Sequence, residues 1–336
     1  MRPFAIRRGE EHGELAGRIL CHDVRPAFRK GHLLRAEDVP VLIAASWSEL
    51  HLLEPGPDDV AQHEAGEHLA RILASARLQI APAGHRHILR AERNGLVKID
   101  AGALLRLNTI PGVAVFTLMN DTVVSAGQVV AEAQITPLLI ARRAMEEASR
   151  EKEVVRILGF VPRDVVILKR DDRVLRALTD KLRWFGCTVR EVIPLPPDAP
   201  SIREVLDRDP SPRPRGEGGR WPDEGPLIIV QGTNALDPLD PVFVALEAMG
   251  ATMQKVGMPV HPGTLLWIAS RKNATIIGLP SCGLGPQLTA FDLVLPKLLA
   301  EGAIRDVDLV ALGHGGILNF AQSRILVLES VDEPVR

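Results

Sequence analysis

From residue 161 onward, short apolar runs alternate with segments whose apolar residues recur every three or four positions, the pattern of buried strands and amphipathic helices. "DVVILK" (164–169) reads as a strand. It precedes "RVLRALTDKLRWF", where Val174, Leu175, Leu178, Leu182 and Phe185 fall on one helical face and Gly186 supplies the stop. "CTVREVI" is a second strand and "SIREVLDR" a short helix. "PLIIVQ" (226–231) is a third strand, followed by a polar loop and the helix "DPVFVALEAMG", with Asp240 at the N-cap, Pro241 in the first turn and Gly250 at the end. "ATMQKVGM" is a further strand, "TLLWIAS" and "ATIIGLP" form a hairpin across "RKN", and "QLTAFDLVLPKLLA" is the last long helix. Strands alternating with helices predict an α/β domain with a mostly parallel sheet covered on both faces.

The first half has a different rhythm. "DDVAQHEAGEHLARILAS" and "AGALLRLNTI" predict helices, while "HRHILRAE", "GLVKID", "VAVFTLM" and "TVVSAGQVVAEAQI" predict short strands in hairpins. The expected organisation is an N-terminal segment (1–55), an α+β region with β hairpins (56–140), a charged linking helix (141–160) and the α/β domain (161–336). A flexible loop rich in proline and glycine (208–226) interrupts the last of these.

A chain of 336 residues with 46% hydrophobic content has enough apolar material for two or three domains. Its formal charge is -2, from 40 basic and 42 acidic residues, so no overall field draws it to nucleic acid or to an anionic membrane. Its longest apolar stretches fall short of the roughly 20 residues that span a bilayer. Cys21, Cys187 and Cys282 match no metal spacing, and the first residues lack the apolar core of a signal peptide. The expectation is a cytoplasmic protein that meets any anionic ligand at a local site.

Two loops have the right address, since ligands of open α/β sheets bind beyond the carboxyl ends of strands. In "QGTNALDPLD" (231–240), Gly232 allows close approach to the backbone, Thr233 and Asn234 offer hydrogen bonds, and Asp237 and Asp240 supply carboxylates for Mg²⁺. Asp240 serves equally well as a helix cap. In "IIGLPSCGLGPQL" (276–288), Gly283 and Gly285 lead into a helix whose free N–H groups favour anions. Cys282 reads either as a thiol activated by that helix or as a small packing residue. Between the loops, Pro262 and Gly263 make a turn next to His261, which faces either solvent or a ligand.

These three segments, "LIIVQGTNALDPLDPVFVALEAMG", "GMPVHPGTLLW" and "IIGLPSCGLGPQL", resemble in order the motifs of the molybdopterin-binding domain shared by molybdenum cofactor biosynthesis proteins, most closely those related to molybdopterin molybdotransferases. "GRILCHDV", "FRKGHLLRAEDVPVLIA", "HEAGEHLARIL" and "AGQVVAEAQITPLLI" fit the opening segments of the same group, so the likeness covers nearly the whole chain. It implies a three-layer α/β/α domain that binds molybdopterin, or its adenylylated form, at the carboxyl edge of the sheet. Carried over by position, Gly232, Thr233, Asp237 and Asp240 match the acidic loop associated with Mg²⁺ and molybdate insertion. Pro262 and Gly263 match the Pro-Gly turn, and Gly278, Pro280, Ser281 and Cys282 match the "GLPG"-type loop. By the same analogy the protein forms a homodimer and meets other cofactor biosynthesis proteins or a molybdoenzyme.

The sequence departs from the family where Ser281 replaces a glycine, His261 an acid and "ILKRDDR" the "STGDEL" loop, and no lysine follows Pro262-Gly263. The readings that follow are a molybdotransferase-like enzyme, a non-catalytic cofactor carrier or sensor, and a nucleotide pyrophosphatase-like relative.

Overall fold

The computed structural model describes residues 1–9, 13–170, 175–208, 225–233, 235–280 and 287–318. The chain divides into two units. Unit 1 comprises Met1–Arg93, Val97–Asn120 and Val124–Ile157; unit 2 comprises Asn94–Leu96, Asp121–Val123 and Leu158–Arg336.

In chain order the first half forms β1 (Arg2–Arg7), β2 (Ile19–Leu20), α1 (Asp38–Ala44), β3 (Glu49–Glu54), β4 (Asp59–Ala61), α2 (Gln62–Leu73), β5 (Leu78–Ala83) and β6 (Arg86–Ala91). It continues through β7 (Gly95–Ile99), α3 (Ala101–Thr109), β8 (Val113–Thr117), β9 (Val123–Val124), β10 (Val129–Ile135), β11 (Leu139–Ala141), α4 (Arg142–Ala148) and β12 (Val155–Leu158). The sheets β1-β3-β2 and β5-β6-β10-β8 and the pair β11-β4 are antiparallel throughout. Alternation sets their inward faces: Leu50 and Leu52 of β3 are buried with Leu20 and Leu42, and Ala131, Ala133 and Ile135 of β10 with Leu69 and Leu73 of α2. The segment 141–160, expected as one charged helix, is helical only over Arg142–Ala148. Its later part, "VRIL", has the alternating burial of a strand, and the residues between, with Glu153 at φ 49, are not helical.

Unit 2 holds β13 (Asp164–Lys169), α5 (Leu175–Trp184), β14 (Thr188–Pro194), α6 (Ala199–Asp207), β15 (Leu227–Gln231), α7 (Pro241–Ala248), β16 (Thr252–Val256), β17 (Trp267–Arg271), β18 (Ala274–Leu279), α8 (Ala290–Glu301) and α9 (Asp306–Ala311). One six-stranded sheet runs β14-β13-β15-β18-β17-β16. Val165, Ile167, Leu227, Ile229 and Ile277 bury one face of it with Leu178 and Leu182 of α5 and Phe291, Val294, Leu295 and Leu298 of α8. Val166, Leu168, Ile228, Val230 and Ile276 bury the other with Ile202 and Leu206 of α6 and Val242 and Leu246 of α7. Arg163, buried just ahead of β13, donates to Thr275 Oγ1 and to the Gly302 carbonyl, which ties the starts of β13 and β18 to the end of α8.

The expected fold, a three-layer domain on a mostly parallel sheet, is corrected by this topology. The chain is an α/β architecture of several sheets whose strands are mostly antiparallel. Even the largest sheet is mixed, parallel for β14-β13-β15-β18 and antiparallel for β18-β17 and β17-β16. Chain length is the physical reason. A parallel return needs a crossover of about a dozen residues or more, whereas β17 reaches β18 through a turn at Lys272 (φ 52).

In unit 1, His87 of β6 turns its ring onto α2, where a Cβ on Gly66 would lie 2.9 Å from Nδ1. That buried nitrogen has no hydrogen-bond partner among the described residues. His85, two positions earlier, is exposed in the preceding turn. Burial is the main cause that holds the His87 pKa below the ordinary imidazole value; Glu67 pulls it up, and His63 and Arg71 push it down. The folded state therefore takes up this proton less readily than the unfolded chain, and stability falls as pH drops below the unfolded value of about 6.5. Melting temperature is expected to decline more in wild type than in His87→Leu between about pH 7.5 and about pH 5.5. Equal declines in thermal melts followed by circular dichroism would refute this.

Candidate site at the carboxyl edge of the six-stranded sheet

Three neighbouring parallel strands, β13, β15 and β18, end side by side. Leu168 pairs with Val230, Gln231 pairs with Leu279, and the Gly232 N–H donates to the Leu279 carbonyl at 3.0 Å. From β13 the chain turns to β14 on one side, and β15 and β18 lie on the other, so the order reverses between β13 and β15. Such a reversal opens a crevice at the carboxyl edge.

At that edge Gly232 has φ 78, and a Cβ there would come within 3.1 Å of Arg170 Cδ. Its conformation and its contact with the Arg170 stem both require glycine. Thr233 is buried, and its hydroxyl accepts from Trp267 Nε1 at 2.8 Å. Asp237 is exposed and shapes the loop: one carboxylate oxygen accepts from the Leu239 N–H at 2.9 Å, and its carbonyl accepts from the Asp240 N–H at 3.0 Å. Asp240 is only 4% exposed and caps α7 through the Val242 N–H at 3.0 Å, while its other oxygen lies 3.7 Å from Arg170 Nη2.

The remaining expected residues fall into two places. Pro262 follows a cis peptide bond from His261, and its carbonyl accepts the Ala290 N–H at 3.0 Å, which docks the first turn of α8. Gly263, at φ 115, is pressed against the same turn, since a Cβ would lie 2.6 Å from that of Ala290. His261 is exposed, and its backbone bonds to Gly316 and Leu318. Gly278 lies under the indole of Trp267, where a Cβ would fall 1.9 Å from a ring carbon, and Pro280 is buried next to it. Asn234, Ser281, Cys282, Gly283 and Gly285, with most of the loop 208–226, lie outside the described residues.

The structure thus brings Thr233 and Gly278 onto Trp267, with Gly232 and Pro280 at the paired ends of β15 and β18. Pro262 and Gly263 meet α8 instead. The start of α8 is closed by protein groups: Asp292 accepts from the Thr289 N–H and hydroxyl at 2.8 and 2.9 Å, and its other oxygen pairs with Lys181 at 2.6 Å. Arg170, Trp267 and Lys181 were missed by sequence reasoning. Arg170 stands one position beyond a predicted strand, at an address that could have drawn attention to it. Trp267 and Lys181 fall within regular elements and carry no such signal.

These residues do not fit a Mg²⁺ ion held by two carboxylates. Asp237 points to solvent and Asp240 is buried as a cap facing a guanidinium. Among the described residues no group of three or more His, Cys, Asp or Glu side chains is placed to hold a metal. Nor does a helix long and apolar enough to cross a membrane occur among them. A separate concavity of about 660 Å³ in unit 1, lined in part by Ile110, Pro137, Ile140, Arg143 and Arg150, contains none of the expected site residues.

Residues 14–54 match a family described as Domain of unknown function (DUF8806). No curated protein matches the chain. Among solved structures it is weakly similar to a molybdopterin biosynthesis moea protein from Pyrococcus horikosii, at 14% identity and a TM-score of 0.28, over 74% of this chain and 75% of that one. It is also similar to a molybdenum cofactor biosynthesis protein from Pyrococcus furiosus, at 14% identity and a TM-score of 0.25, over 73% and 72%.

Gly278→Ala is expected to lower stability by about 3 kcal/mol, because the new methyl overlaps the indole. In a Trp267→Leu background the same change should lose less than half as much, since the two side chains compete for one space. Urea unfolding of the four proteins of this cycle measures the coupling, and simple additivity would contradict it.

Proposed function

We propose that this chain binds a molybdopterin-type ligand, a pterin carrying a phosphate, at the carboxyl edge of the six-stranded sheet, and that it holds or delivers the ligand rather than inserting molybdate. One observation carries the reading. Two of the three segments that resemble the molybdopterin-binding domain leave the sheet from adjacent parallel strands, joined through Gln231 with Leu279 and through the Gly232 N–H. A reversal of strand order in an α/β sheet is a general place for a phosphate-bearing ligand.

The residues available to such a ligand are Arg170 for the phosphate and the backbone around Gly232 for close approach. Leu236 and Leu239, 75% and 77% exposed on the same loop, offer apolar contact to a ring system. Molybdopterin would bring the dithiolene that holds molybdenum; the chain's own task is to bind and orient it. Holding rather than insertion is favoured because both carboxylates of the acidic loop already accept hydrogen bonds from their own turn and cap.

The full chain, purified from a host that makes molybdopterin, is expected to release a fluorescent pterin on acid oxidation. It should carry this pterin equally well as Asp237→Ala. Absence of pterin, both after purification and after incubation with free molybdopterin, would end the binding reading. Insertion of molybdate by the purified chain, lost in Asp237→Ala, would end the carrier reading.

A further inference from the structure

The same Asp240 that sequence reasoning assigns to Mg²⁺ faces a cation the chain supplies itself. Arg170 Nη2 lies 3.7 Å from Asp240 Oδ2, beyond hydrogen-bond range, while Asp240 Oδ1 is held by the Val242 N–H. Its aliphatic stem runs across Gly232, with Cδ, Cβ and Cγ all near the place a Cβ would take. The guanidinium is thereby brought to the crevice between β13 and β15, while its side chain stays 46% exposed. It lies near Asp240 without a hydrogen bond to it, and a planar guanidinium has donors to spare for the two oxygens of a phosphate. A divalent ion on Asp240 Oδ2 would have to sit against this positive charge.

We infer that Arg170 stands in for the divalent metal of this site and that the phosphate of an anionic ligand binds to it directly, with no requirement for Mg²⁺. The inference rests on the proposed location of the ligand site. It specifies the ligand class as a phosphate-bearing anion taken up as the free species rather than as its metal complex.

Inorganic phosphate is the probe, titrated calorimetrically into the full chain with EDTA and, separately, with excess Mg²⁺. Affinity is expected to be the same in both. Arg170→Met should weaken it about tenfold or more, as loss of charge-assisted hydrogen bonds implies, with Arg170→Lys in between. Asp240→Asn gives the opposite sign: asparagine keeps the cap but removes the charge that competes for Arg170, so phosphate should bind more tightly. A carboxylate–metal site would instead lose binding in Asp240→Asn and in EDTA.

Either of those losses, unchanged binding in Arg170→Met, or no phosphate binding at all would overturn the proposal. Melting curves identify a variant that fails to fold, and Arg170→Gln then takes the place of Arg170→Met. Phosphate bound through Arg170 by a chain that takes no pterin would leave this inference standing and remove the pterin reading. Pterin bound with no role for Arg170 would do the reverse.

Discussion

The site depends on where one indole ring sits. Trp267 of β17 is fully buried, occupies the space that a side chain at Gly278 would fill, and donates to Thr233 just beyond β15. A single side chain thus joins three successive strands of the sheet at their common edge. Its ring also meets that of Phe243 at 5.3 Å, which links it to α7. The cap of α7 is Asp240, and Asp240 faces Arg170. Buried packing at Gly278 is in this way connected, contact by contact, to the carboxylate that faces an exposed guanidinium.

This chain of contacts gives the glycines of the motifs a meaning other than the one their spacing suggests. A glycine in a sequence marks a place where a Cβ is not tolerated; what excludes it is not written there. At Gly278 the excluded object would meet an indole, at Gly263 the first turn of α8, and at Gly232 the stem of Arg170. Two of these three are internal packing, and only Gly232 borders the crevice. The free N–H groups expected to favour an anion at the last helix have a similar fate. The Ala290 N–H goes to Pro262, and the carboxylate of Asp292 stands at the same end.

Much of unit 2 was legible. β13, β15 and β18 are β-branched runs buried on both faces, and Asp240 with Pro241 announces α7 by a cap whose chemistry is local. What failed was non-local. Strand direction depends on the length of the connection and on the partner: the β17–β18 hairpin across "RKN" was legible, but the alternation of strands and helices suggested a mostly parallel sheet, and β16 adds a further antiparallel pair on β17. The residues at 141–160 were misread because charge at helical spacing continues past Ala148, while the alternating burial of "VRIL" depends on neighbours far away in sequence. Of the site, the loop after β15 was legible from its polar residues. Arg170 was legible only by its address after β13; its partners Gly232 and Asp240 lie 62 and 70 positions further on.

A fixed guanidinium and an exchangeable metal suit different tasks. A bound divalent ion polarises oxygens and offers open coordination positions in which a reacting group can be placed. A guanidinium supplies charge and directed hydrogen bonds but no vacant position, so it stabilises a phosphate wherever the phosphate already is. Asp240 strengthens the contrast: one carboxylate oxygen caps α7 and the other faces Arg170 across 3.7 Å, so a metal there would meet a positive charge. With the exposed carboxylate of Asp237 engaged in shaping its own turn and Arg170 beside the crevice, the described part of this edge suits, on the proposed reading, the gripping of an anion. On the proposed reading, that arrangement suits holding and delivery better than insertion.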